Sequence, residues 1–576
     1  MATDNRRAPY AGTSRKLVIS IDVGTTFTAT SFCLLQPGNV PKFEEILRWP
    51  KQATPDAKVP SVLYYDRNGV AKAFGAETED EDTIIEAEEN GWKKTEWWKL
   101  AMRSGHLPLI RDLTLPPLSP GVTVDQIFAD HLRYIKDQVK AYITSTYGSG
   151  ENIWNTLFPT MYVILTTPNG WEGSQQNRMR QAAIKAGLVD ENGGRRVKFV
   201  TEAEAAVLYA ADSGSVGDWL VDGAQLILCD CGGGTVDITG YKIDSVKPTL
   251  KLEEASASRC YLAGAVFVTT AAKEFIKNRL RGTEWDDEER MQRIVYHFDR
   301  NAKKKFSEED TVCYVNLEGS HKTVPELGIL RGRLKLTAEE MRSFFDTPLQ
   351  QIIDGLEIAF ENGGRAADKV ILVGGLASSP YVYSKLVSWG KEFGISVSRP
   401  DGPTVKAVAN GALAWHLDGS VGARIAKFFY GINIRVPYKA ESADHRERQH
   451  LTITGLDGTP YLHMVWSGIV KKNDKVDSTR EFRSSFILEM STPPAFMQFP
   501  GKQQLVPGFD VLCKVQGNLQ RCYQAIHKSR MTPSGKRIKD VAFEVCLGLG
   551  ETEITARMCW KENGEDVYGP ATIAYD

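Results

Sequence analysis

The sequence predicts an α/β protein of two similar lobes followed by a β-rich C-terminal module, and three observations carry that prediction. Residues 17–28 (LVISIDVGTTFT) form an apolar, β-prone run that ends on Asp22 and turns through Gly24 into Thr25 and Thr26. Residues 226–238 (LILCDCGGGTVDI) repeat that grammar, with Asp230 followed by Gly232, Gly233, Gly234 and Thr235. After Leu417 the pattern changes to short β-prone runs separated by clusters of turn residues. Val, Ile and Leu runs of this length suit buried strands, and the glycines mark the turns between them.

The two copies also imply chemistry. A turn rich in glycine and threonine offers a concave row of backbone N–H groups and hydroxyls, which suits phosphate. An aspartate one step earlier is placed to hold the accompanying Mg²⁺, usually through water. One clamp on each of two lobes makes a nucleotide cleft. A third element fits it: residues 369–380 (KVILVGGLASSP) read as a buried strand, then Gly374 and Gly375, then a helix beginning near Pro380. Proline suits a first helical turn, where its missing N–H costs nothing.

In order and spacing these elements resemble the ATPase superfamily that unites actin, the 70-kDa heat-shock chaperones and the sugar kinases. Residues 199–209 (FVTEAEAAVLY), 407–414 (AVANGALA) and 163–168 (VILTTP) are similar to connecting segments of the chaperone branch, so the resemblance covers 15–417. It looks most like a divergent, shortened branch with a non-standard C-terminal part. The resemblance implies a two-lobed actin-like (ribonuclease H-like) ATPase fold that binds ATP or ADP with Mg²⁺. It implies that Asp22 and Asp230 hold the metal and that Gly24, Thr25, Thr26, Gly232, Gly233, Gly234 and Thr235 bind phosphate. Gly374 and Gly375 would form the adenosine loop, and Lys99, Glu202 and Asp237 would orient the attacking water or its proton path. Residues 299–307 (DRNAKKKFS) resemble the helix that packs the adenine ring, which implies base contacts from Lys303, Lys304 and Ser307. Lysine stems laid on a base with their ammonium heads in water is one reading of that triplet; a plain surface helix is the other. Three positions depart from the family around the base: Arg300, Ser378 and Val405.

Composition fits a soluble intracellular chain. A formal net charge of −2 over 576 residues gives no global field for nucleic acid or an anionic membrane. No apolar run reaches spanning length and residues 1–7 lead into polar sequence, so the expectation is a cytoplasmic protein without a signal peptide, a nuclear location remaining open. Cys229 and Cys231 flank Asp230 on the opposite strand face; they read as buried small hydrophobes in a reducing compartment rather than a metal or redox pair. The nine histidines include no His-x-x-x-His pair, and none lies near a motif.

The expected organisation is a disordered tail over 1–14, lobe I over 15–215, lobe II over 216–402, a return helix over 403–419 and the β-rich module over 420–576. Within lobe I, the acidic run 77–82 followed by Trp92, Lys93, Lys94, Trp97, Trp98 and Lys99 fits the charge polarity of one solvated helix. The C-terminal module shows neither an acidic-leucine linker nor a long amphipathic helix. These features together read as a chaperone-like ATPase, a hydrolase that couples Mg-ATP hydrolysis and lobe motion to a client or co-chaperone-like protein partner. The alternatives are a nucleotide-gated scaffold with little turnover and, behind it, a sugar or polyol kinase.

Overall fold

The computed structural model describes residues 7–105, 107, 115–212, 219–246, 249–317, 319, 321–400, 407–419, 421–490, 497–498 and 513–574. The chain divides into two compact units, Met1–Val421 and Gly422–Asp576. Val405 and the expected boundaries at 215/216 and 402/403 lie outside the described residues.

The first unit is built twice. Strand β1 (Lys16–Val23) is buried almost throughout because its apolar side chains face other elements on both sides. It pairs antiparallel with β2 (Phe27–Leu35), which in turn pairs with β3 (Phe43–Glu45) and β4 (Lys58–Pro60). On its other edge β1 runs parallel to β5 (Tyr162–Thr167), and β5 runs parallel to β6 (Val197–Thr201). Helix α1 (Val124–Thr146), capped by Thr123, lays its apolar face into the same core, and α2 (Glu202–Asp212) follows β6 directly.

The second half repeats the plan. Strand β7 (Gln225–Cys231) pairs antiparallel with β8 (Val236–Ser245), and β8 with β9 (Lys251–Glu254) and β10 (Arg259–Tyr261). Across its other edge β7 is parallel to β11 (Lys369–Val373), which is parallel to β12 (Ser396–Ser398). The spatial order β3-β2-β1-β5-β6 is thus matched by β9-β8-β7-β11-β12. Helix α3 (Ala265–Arg279) packs on the second core, and α4 (Pro380–Phe393) opens with Pro380 in its first turn behind an N-cap from Ser379. Helix α5 (Ala407–Asp418) returns to the first lobe, where Ser20 donates a 2.7 Å hydrogen bond to the Ala409 carbonyl. Among the described residues no helix is long and apolar enough to cross a membrane.

Arg7 is the first described residue, and its guanidinium pairs with Asp212 and Asp418 at the C-terminal ends of α2 and α5, and stands 4.6 Å over Phe43. One expectation is corrected. The stretch 77–99 is not one helix. A helix covers Glu81–Asn90 and stops at Gly91, whose φ of 65° closes it in the left-handed conformation. The chain then forms a short strand at Lys93–Thr95 and a 3₁₀ turn at Trp98–Met102 that buries Trp98 and Lys99.

The second unit contains a three-stranded antiparallel sheet (Tyr430–Pro437, Pro460–Val470, Thr452–Thr454) and a larger sheet whose longest strand is Arg537–Gly548. Val541, Phe543, Val545, Met558 and Trp560 form its core with Leu519 and Cys522.

Candidate functional site

Each half places an aspartate at the end of its first strand and a glycine two residues later that closes the same turn. Gly24 N–H donates to the Phe27 carbonyl at 3.0 Å, and Gly232 N–H to the Thr235 carbonyl at 2.9 Å. The two turns face each other. A Cβ on Gly233 would stand 2.5 Å from Thr26 Oγ1, and one on Gly234 would stand 2.4 Å from Thr25 Oγ1 and 2.8 Å from Leu100. Only glycine lets the halves approach this closely.

The second turn also has its carbonyls accounted for. Gly264, Ala265 and Val266, at the start of α3, donate their N–H groups to the carbonyls of Gly234, Gly232 and Gly233 at 3.2, 3.1 and 2.9 Å. Helix N-terminal donors are thereby satisfied by the loop. Among the described residues the N–H groups of Gly233 and Gly234 meet no acceptor, so they remain for an anion.

Five charged side chains gather below these turns. Asp22, Lys99, Glu202, Asp230 and Asp237 are each no more than 8 % exposed. Lys99 Nζ donates to Glu202 Oε1 at 2.7 Å and stands 5.2 Å over the Trp171 ring. Thr166 donates to Asp22 at 2.8 Å, and the Asn169 backbone N–H donates to Asp237 at 2.7 Å. Asp230 and Asp237 lie directly opposite each other in the β7–β8 ladder. Like charges so placed repel, and the surplus of carboxylates shows in their titration. Burial, with Asp237 and Asp22, pushes the Asp230 carboxyl up to about 7. Burial pushes Glu202 up to about 8 against the pull of Lys99, helped by Asp22, Asp237 and Asp230. Burial opposes the Lys99 charge, yet Glu202, Asp22 and Asp237 hold its pKa above the usual lysine value. Four carboxylates around one ammonium fit a divalent cation, which would relieve the excess negative charge. Among the described residues no three carboxylate, histidine or cysteine side chains form a direct ligand set.

Gly374 is the third contributor. Its φ is 90°, and a Cβ there would stand 2.4 Å from both Asp230 Oδ1 and the Cys231 carbonyl, so a side chain would displace the aspartate. Gly375 faces open space. The base-side residues behave differently. Lys303 is buried and its ammonium is held by Asp299 and, at 3.0 Å, by Thr269. Ser307 donates its hydroxyl to Asp310 at 2.9 Å. Lys304 is exposed at the surface, its pKa lowered by partial burial and by Arg300. Arg300 reaches from the second half to an ion pair with Glu79 of the first and lies 5.6 Å over the Phe27 ring. Ser378 turns back to the Gly375 carbonyl at 2.6 Å. Cys229 and Cys231 are fully buried with their sulfurs 3.5 Å apart.

Sequence reasoning singled out neither Thr166 nor Asn169 nor Trp171, although all three fall in or just after the strand run ending at Pro168. Lys58, which lowers the Asp230 pKa through its charge, carried no sequence signal.

No protein-family model matches the chain. It is 22 % identical to heat shock 70 kDa protein 12B of Homo sapiens over 515 aligned residues, covering 74 % of this chain and 72 % of that protein. It is 21 % identical to heat shock 70 kDa protein 12A of Mus musculus, covering 73 % and 72 %. Chaperone protein DnaK of Buchnera aphidicola subsp. Schizaphis graminum is 25 % identical over 301 residues, covering 50 % of this chain and 42 % of that protein. With the paired sheets, these relatives support a mixed α/β fold of the actin-like ATPase type. These similarities support a divergent Hsp70-like branch.

Proposed function

We propose that this chain is a chaperone-like ATPase that binds Mg-ATP between the two halves of its first unit, hydrolyses the γ-phosphate and passes the resulting motion to Gly422–Asp576, which engages a protein client or partner. One observation supports this reading above the others: two opposed turns, Gly24–Thr26 and Gly232–Thr235, meet over a buried group of four carboxylates and one ammonium.

Phosphoryl transfer to water asks the protein mainly for positioning and charge stabilisation. The Gly233 and Gly234 N–H groups and the Thr25 and Thr26 hydroxyls bind phosphate oxygens. Asp22 and Asp230 would hold the metal, which would supply neutralisation of phosphate charge. Lys99 orients the attacking water. Glu202, in the ionised form that Lys99 favours at 2.7 Å, takes its proton, and Asp237 continues the proton path. The buried Trp171 ring over Lys99 keeps bulk solvent from the pair. Gly374 and Gly375 line the base end, with Lys304 at its rim. The nine free thiols suit a reducing compartment, and we place the protein in the cytoplasm.

A second reading, the nucleotide-gated scaffold, draws on the base side, where Lys303 is occupied by Asp299 and Arg300, one of the departures from the family, is paired with Glu79. The test is phosphate release by purified full-length protein with Mg-ATP. The ATPase reading expects Mg²⁺-dependent release that Lys99→Ala lowers about 100-fold or more, with nucleotide affinity retained. Binding without release above background assigns the protein to the scaffold class. Phosphorylation of an added sugar or polyol assigns it to the kinases.

A further inference from the structure

We infer that His131, in the middle of α1, is a positioning residue of the nucleotide site, acting through a buried hydrogen-bonded chain of Thr28, Ser61 and Trp98 on Thr26 and Lys99. The inference rests on the nucleotide reading above.

His131 is fully buried on the core face of α1, among Phe128, Leu132 and Ile135. An aliphatic residue would fill that place with no polar atom to satisfy. Instead the imidazole carries one nitrogen, Nδ1, with no hydrogen-bond partner among the described residues. Leaving a buried polar atom unpaired is unfavourable, and such positions call for an explanation. The other nitrogen supplies one.

His131 Nε2 lies 2.7 Å from Thr28 Oγ1. Unpaired buried N–H groups are rarer than unpaired acceptors, so the proton is assigned to Nε2, which donates to Thr28. That leaves the Thr28 hydroxyl to donate to Ser61 Oγ, 2.9 Å away. The Ser61 backbone then ties two parts of the site together. Its N–H donates to the Thr26 carbonyl at 2.9 Å, and its carbonyl accepts the Trp98 indole N–H at 2.8 Å. Thr26 belongs to the first phosphate turn, and Trp98 immediately precedes Lys99.

A direct ring contact closes the circuit. The Trp98 ring meets His131 edge-on, with centroids 5.6 Å apart at 62°. Thr28, Ser61, Trp98 and His131 are each no more than 1 % exposed, so water does not substitute for a missing member. Burial keeps the imidazole neutral, with its pKa lowered to about 3. It therefore acts as a fixed donor rather than as an acid or base.

The role is distinct from generic core packing, and the two predict different outcomes. Packing would be satisfied by leucine; positioning would not. In His131→Leu the Thr28 hydroxyl is free to rotate, Ser61 loses its orientation, and Thr26 and Lys99 lose their shared anchor. The cost falls on the reacting geometry rather than on nucleotide capture.

The experiment compares His131→Leu, His131→Gln and Thr28→Val in the full-length protein by melting temperature, Mg-ATP and Mg-ADP affinity, and single-turnover hydrolysis. His131→Leu is expected to melt at or above the wild-type temperature, with affinity held and single-turnover rate down roughly tenfold. His131→Gln, whose amide keeps a donor near the Nε2 position, is expected to recover most of that rate. Thr28→Val, which removes only the hydroxyl, should match His131→Leu, and the double variant should lose no more than either single one, because they break the same chain. A His131→Leu rate within about twofold of wild type overturns the inference, as does an equal loss of rate in the leucine and glutamine variants. If His131→Leu does not fold, Thr28→Val decides alone, and a wild-type rate in it is contradictory. If wild type binds nucleotide without turnover, there is no reacting geometry to position and the inference is overturned. Failure of wild type to bind nucleotide at all removes the underlying reading, a result separate from all of these.

Discussion

The two halves of the first unit share one strand order, one turn closed by a glycine two residues after an aspartate, and one pair of parallel strands beside the hairpin. They divide the chemistry unequally. The first half carries the hydroxyls of Thr25 and Thr26, the Lys99–Glu202 pair and a buried polar chain behind its turn. The second carries three successive glycines, the facing Asp230–Asp237 pair and the Gly374 turn against Asp230. Repetition of a fold therefore fixes where a turn lies, while the side chains gathered around it differ from one half to the other.

Glu202, proposed to take the proton of the attacking water, should show the largest effect. Glu202→Gln is expected to lower single-turnover hydrolysis by about 10²–10⁴-fold while leaving Mg-ATP affinity nearly unchanged. An equal loss of affinity would mean that the halves share the task rather than divide it.

The carboxylates gathered from both halves should show themselves in pH dependence without metal. The Asp230 and Glu202 carboxyls titrate near 7 and 8 in the fold, against roughly 4 in an unfolded chain. The folded state keeps protons that the unfolded state has already lost, so stability is full below about pH 4 and falls as pH rises through 7 to 8. Melting in a chelator should drop between pH 6 and pH 8, and Mg²⁺ should restore more at pH 8 than at pH 6. A flat profile in chelator would show that the carboxylates are not crowded as described.

Asp237→Asn sharpens the same point at smaller scale. Removing one of two facing carboxylates should raise metal-free stability at pH 8 by up to about 1 kcal/mol, and should shrink the gain from Mg²⁺. The smallest effect belongs to Arg300→Ala. Its partly exposed pair with Glu79 joins the halves at the cleft rim, and such pairs contribute only about 0–1 kcal/mol. Mg-ADP release should quicken by a few-fold at most, as measured by displacement of a fluorescent analogue.

How much of this was legible depended on how far apart the interacting residues lie. Asp22, Asp230 and the glycines beside them announce themselves because strand, carboxylate and turn are consecutive in the chain. Gly91 likewise marks the end of the helix begun at Glu81, a local signal that the charge polarity of 77–99 obscures. His131 gave no sign: its partner Thr28 is 103 residues away, and only the packing of α1 on the sheet brings them together. Thr166 and Asp22 are separated by 144 residues, and Asn169 and Asp237 by 68. Lys303 is the opposite case. Its position in the sequence matches a base-packing lysine, yet Asp299, four residues earlier on the same stretch, holds its ammonium.

The central claim is that the opposed turns and the carboxylates beneath them form one Mg-nucleotide site. Thermal unfolding of the full-length protein with Mg-ATP, with ATP plus chelator, and with neither tests it most directly. Ligand at about 100 times its Kd should add roughly 2.7 kcal/mol of stability. The account predicts a clear rise in melting temperature with Mg-ATP and a smaller one with ATP plus chelator. No shift at millimolar nucleotide, or equal shifts with and without Mg²⁺, would contradict it.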